Sequence, residues 1–67
     1  MKYRHSEYYL EKVIKNANLT PRDVVAKYND YYGDNYYTLN LLSYYKILNI
    51  LSNYSIDDIR FILKIEK

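Results

Sequence analysis

No cysteine occurs in the chain, and proline and glycine occur once each, as Pro21 and Gly33. The missing thiols exclude disulfide staples, thiolate zinc sites and thiol catalysis. A lone glycine excludes a glycine-rich cradle for phosphates. His5 is the single histidine, so no second imidazole completes a metal site with it, and it is expected as a solvated terminal residue. Neither sign of charge dominates: a net +2 permits nucleic-acid binding without marking it. No apolar run approaches the ~18 residues that span a bilayer. Residues 1–7 lead into no apolar stretch of signal-peptide type, so the expected location is the cytoplasm, away from membranes.

Catalytic arrangements are equally scarce. No serine or threonine has a recognisable base beside it. Asp30 and Asp34 bracket Gly33 without the oxygen ligands of a calcium loop, while Asp57 and Asp58 stand where helix caps are expected. With 67 residues the chain makes one domain, 1–67, too small for a deep cleft. The expectation is a protein that is not an enzyme and carries no metal and no cofactor.

What the sequence has is tyrosine: eleven of them, beside seven each of asparagine, lysine and isoleucine. All four have A/T-rich codons, so genome composition accounts for part of the excess. A hydrophobic content of 49% is too high for intrinsic disorder. Four tyrosine pairs stand out: Tyr8-Tyr9, Tyr31-Tyr32, Tyr36-Tyr37 and Tyr44-Tyr45. Adjacent helical residues point about 100° apart, so a pair within a helix rarely buries both rings. Several phenols are therefore expected at the surface, where tyrosine is enriched at binding hot spots.

Hydrophobic spacing predicts four short helices. Ser6 is a candidate cap for the first, with Leu10, Val13, Ile14 and Ala17 at i, i+3, i+4, i+7. Thr20-Pro21-Arg22-Asp23 is a capping box with proline at the first helical position, and Gly33 is the expected stop. Thr38 is the expected cap of a third helix, from Leu39 to about Leu51. Leu41, Leu42, Tyr45 and Leu48 share one broad face of it, Asn40, Ser43 and Lys46 the opposite one, and Ile47 and Ile50 are surplus. Ser55-Ile56-Asp57-Asp58 opens a fourth helix with Ile56, Ile59, Ile62 and Leu63 on its stripe. The tail 61–67 also alternates as a strand would, and the capping box favours helix. The predicted fold is all-α, a bundle around Leu10, Val13, Ile14, Val24, Tyr28, Leu41, Tyr45, Leu48, Ile59 and Leu63.

Thr20–Asn29 followed by Thr38–Asn49 resembles the helix-turn-helix pair of Cro/C1-type (lambda-repressor-like) phage repressors. The carrying features are a capping threonine, an acidic residue, an apolar pair and a small residue in the second helix, and an Ile-Leu-Asn ending in the third. Ser55–Lys64 resembles the helix that follows. The segment between Tyr28 and Thr38 is longer than the tight turn of the standard motif. The resemblance implies a small transcriptional regulator of phage or mobile-element type, bound to duplex DNA as a homodimer. Helix three would enter the major groove with Asn40, Ser43, Tyr44 and Lys46 toward base edges. Arg22 would lie near a phosphate, and Lys2, Arg4 and His5 would form a basic arm within residues 1–5.

The residues support a second class of function beside this one. A short phage or plasmid inhibitor could dock on a host protein through exposed tyrosines, with Tyr36, Tyr37 and Tyr44 as the candidates. Phe61 and Ile65 fall off the core stripe of the last helix and are the expected dimer contact.

Overall fold

The computed structural model describes residues 4–65, and within them the chain forms four α-helices and no strand. Helix α1, Glu7–Asn16, starts where the Ser6 side chain accepts the Tyr9 N–H. It ends in Asn18, whose left-handed φ of 62° lets the Leu19 N–H return to the Ile14 carbonyl. Helix α2, Pro21–Tyr32, carries the predicted capping box in full. The Asp23 N–H donates to Thr20 Oγ1 at 3.2 Å, and the Thr20 N–H donates to Asp23 Oδ2 at 2.9 Å. That second bond, first among its causes, holds the Asp23 carboxyl below its usual range. Gly33 closes α2 at a φ of 73°; an added Cβ there would meet no atom within 4 Å, so backbone conformation alone calls for glycine.

Helix α3 runs Leu41–Leu51, two residues shorter at its start than its spacing predicts. The cap is Asn40, not Thr38: Asn40 Oδ1 accepts the Ser43 N–H at 2.9 Å. Helix α4, Ile56–Leu63, begins at Ser55, which accepts the Asp58 N–H. Lys64 follows in the left-handed region at a φ of 55°, and the Ile65 N–H bonds back to the Arg60 carbonyl. The tail is therefore helix and cap through Ile65; residues 66 and 67 lie outside the described range.

Helix α2 packs against both α3 and α4, and α1 lies against α3. The radius of gyration, 10.8 Å, is what tight packing gives for this length, about 11 Å. Leu10 and Ile14, Val24, Val25 and Tyr28, Tyr44, Ile47, Leu48 and Leu51, and Ile59, Ile62 and Leu63 form one buried cluster.

Three expected core residues are corrected. Val13 is only half-buried and lies outside the buried cluster. Leu41 and Tyr45 are exposed, and the core takes Tyr44 and Ile47 instead. Apolar side chains surround α3 almost completely, so hydrophobic pattern alone leaves its rotation open. The observed rotation buries Ile47, Leu48 and Leu51 in the core shared with α1 and α2, the helices against which α3 packs. Ser43 and Tyr44 turn inward with them, while Leu41, Leu42, Tyr45 and Lys46 face out. His5 is corrected as well. Its backbone N–H donates to the Ser52 carbonyl at 2.9 Å, and its ring Nε2 lies 3.0 Å from the Tyr54 carbonyl. Because a carbonyl only accepts, Nε2 carries the proton, and the half-buried ring ties the N-terminal segment to the α3–α4 turn.

Candidate interaction surface

The C-terminal half of α2 places Tyr28, Tyr31 and Tyr32 on neighbouring ridges, at i, i+3 and i+4. Tyr28 is buried and forms the floor; Tyr31 and Tyr32 stand above it. Phe61 of α4 packs edge-on against Tyr31, with ring centres 5.7 Å apart. Tyr31 meets Tyr32 at 4.9 Å, Tyr32 meets Tyr28 at 4.8 Å, and Tyr28 meets Tyr37 at 5.8 Å. These separations are those of favourable aromatic pairs. The result is a continuous strip of rings from α4, across α2, to the 33–40 connection. Tyr36 and Tyr37 complete a groove of about 350 Å³ whose lining, Tyr28, Tyr32, Tyr36 and Tyr37, is entirely tyrosine.

A buried asparagine assembles this groove. Asn29 Nδ2 donates to the Tyr37 carbonyl at 2.8 Å, and the Tyr37 N–H donates to Asn29 Oδ1 at 3.2 Å. The amide side chain thus imitates a strand partner and holds the 33–40 connection against α2. At the other border the hydroxyls of Tyr32 and Tyr54 lie 3.2 Å apart. That bond, reinforced by burial, raises the Tyr32 phenol well above its ordinary value. Burial raises Tyr28 in the same direction. Tyr28 and Tyr32 therefore stay neutral donors and acceptors throughout the physiological range.

The predicted DNA contacts do not come together. Ser43 and Tyr44 are buried, and the Asn40 side chain is occupied as the α3 cap. Burial first, then the nearby Glu11 carboxylate, pushes the Tyr44 phenol up to about 12. Lys46 is exposed on α3, Arg22 on the first turn of α2, and Arg4 precedes α1; Lys2 lies outside the described residues. Around Lys46 the solvent side of α3 presents Leu41, at 58% exposure, Leu42, at 66%, and Tyr45. Those side chains offer no hydrogen-bond pattern of the kind that distinguishes base pairs, Tyr45 Oη apart.

Of the predicted partner contacts, Tyr36 is exposed and Tyr37 half-buried in the groove, whereas Tyr44 is buried beneath Tyr45. Phe61 projects into solvent at 71% exposure, and Ile65 packs half-buried against the core, so the off-stripe reading holds for Phe61 alone. The pair Tyr31-Tyr32 was expected at the surface without being named a partner contact, and Tyr54 and Asn29 were not singled out. The i, i+3, i+4 spacing of Tyr28, Tyr31 and Tyr32 was a usable signal, but nothing marked Asn29.

Among the described residues no group of three His, Cys, Asp or Glu side chains is placed to hold a metal ion. No helix among them is long and apolar enough to cross a membrane. No family model, curated protein or solved structure matches the chain.

Proposed function

We propose that this chain is a small non-enzymatic binding module that docks on a host protein through its aromatic strip. The observation that carries the reading is the strip itself: Phe61, Tyr31, Tyr32, Tyr28 and Tyr37 in unbroken ring contact, with Tyr36 exposed at its end. Rings already packed on one another lose little side-chain freedom on binding. They combine apolar area with hydroxyls that can bond a partner's backbone. A folded domain gains nothing for itself by leaving Phe61 in water, and surfaces of this kind mark contact sites.

Duplex-DNA recognition by a dimer is the second reading. Arg22 beside the start of α2 and the exposed Lys46 support it, and the outward leucines of α3 weigh against it. The two separate on salt and nuclease. Capture of a partner from host lysate should survive nuclease digestion and change little with salt, because ring burial is weakly screened. Enrichment of one sequence from random duplexes, with binding that collapses as salt rises, would establish the DNA reading instead. A homodimer contact would rest on Phe61, and sedimentation equilibrium of wild type against Phe61→Ser tests it: a monomer at all concentrations leaves Phe61 to the partner.

A further inference from the structure

A second concavity, of different chemistry, lies between the C-terminal end of α1, the outer side of α2 and the C-terminal end of α4. It measures about 440 Å³. Lys27, Arg60 and Lys64 line it, and among the described residues no carboxylate does. Val13, Leu19 and Ile65 supply apolar wall. Among the described residues Lys64 is paired with Asp30 at 3.0 Å, while neither Lys27 nor Arg60 is in an ion pair. Both residues are half-buried, their stems lying along the cleft wall, and the Asp23 carboxylate one turn before Lys27 on α2 feels the charge of Lys27.

The nearby helix end does not account for these cations. The α1 carbonyls of Val13, Ile14 and Lys15 are already taken by the N–H groups of Ala17, Asn18 and Leu19. The guanidinium of Arg60 therefore keeps donors free in a fork geometry that suits a phosphate. The volume falls within the range of small-molecule sites, and the apolar wall gives a ligand body somewhere to rest.

We propose that this cleft binds a phosphate-bearing small molecule, its phosphate held by Arg60 and Lys27 with Lys64 at the rim, and its body against Val13, Leu19 and Ile65. The site shares no lining residue with the tyrosine groove, so the two readings stand or fall separately. The test is a two-dimensional amide NMR titration of the full chain at low salt with two probes, inorganic pyrophosphate and adenosine diphosphate. Both should give saturable shifts confined to residues 16–19, 27 and 60–65. The nucleotide should bind more tightly, because its body rests on the apolar wall, and equal binding of the two probes would overturn that placement. Arg60→Gln, and separately Lys27→Gln, should weaken binding about tenfold or more with an unchanged melting temperature. Absence of saturation by either probe at millimolar concentration would overturn the proposal. So would shifts that persist undiminished in both variants, or displacement of both probes by duplex DNA at the same residues.

Discussion

Replacing Asn29 by alanine removes the side chain that hydrogen-bonds the 33–40 connection to α2. Two hydrogen bonds to Tyr37 are lost. Each contributes about 1 kcal/mol net, and the half-buried Tyr37 N–H and C=O are left with water as an imperfect substitute. The expected cost of Asn29→Ala is about 2–4 kcal/mol, against a total of about 3–10 kcal/mol for a domain of this length. A fall of roughly 10–30 °C in melting temperature corresponds to it. Urea unfolding gives the free energy, and amide hydrogen exchange at Tyr37 reports the connection itself, where protection should be lost first. Asn29→Asp sharpens the argument, because it keeps an acceptor for the Tyr37 N–H but turns a carboxylate oxygen toward the Tyr37 carbonyl. That repulsion raises the folded-state pKa of the new carboxyl above its unfolded value near 4, so the deficit should be complete at neutral pH, shrink as pH falls toward about 4 and be smallest below it. An unfolding free energy within about 0.5 kcal/mol of wild type for Asn29→Ala, with Tyr37 protection unchanged, would refute the account of how the groove is held.

Three further outcomes are expected. Leu48→Ala should cost about 2–5 kcal/mol in denaturant unfolding, and Leu42→Ala within about 0.5 kcal/mol of nothing, since the first is fully buried and the second faces solvent. Asn40→Ala should cost about 1 kcal/mol as the loss of a helix cap, with Thr38→Ala near neutral; the reverse order would restore the longer helix. Tyr44 holds its proton in the folded chain up to about pH 12, whereas an unfolded tyrosine releases it near 10. Its contribution is therefore complete below about pH 10 and falls as pH rises further, so Tyr44→Phe should move alkaline unfolding to higher pH, as followed by circular dichroism.

Local signals proved the most legible part of the sequence. Ser6, Thr20 and Ser55 cap the helices they were expected to cap, Gly33 ends α2, and Pro21 occupies its first position. Each acts over three or four residues, a range within which chain order determines geometry. Helix α3 was harder for two reasons. Thr38 and Asn40 both offer a capping oxygen, and it is the Asn40 side chain that accepts the Ser43 N–H. Its rotation also depends on which neighbours it meets, because leucines and isoleucines occur on every side. An error of that kind exchanges buried for exposed residues together: Ser43 and Tyr44 went inward as Leu41 and Tyr45 came out. The candidate site followed the same division. Exposed phenols were foreseeable from the adjacent pairs, while the strip that unites Phe61 with Tyr31 depends on α4 packing beside α2, a contact with no local signature.

The most direct test of the aromatic strip as a docking surface compares four variants in one affinity-capture experiment with nuclease-treated host lysate. Tyr36→Ala and Phe61→Ser remove exposed rings at the two ends of the strip, and Arg22→Ala and Lys46→Ala remove exposed cations proposed for DNA. All four sites are exposed, so folding should be little changed, which circular dichroism verifies. The account predicts that a partner captured by wild type is lost or weakened at least tenfold by each ring variant and retained by both cation variants. Retention by both ring variants, with loss on removing Lys46 or Arg22, would contradict it.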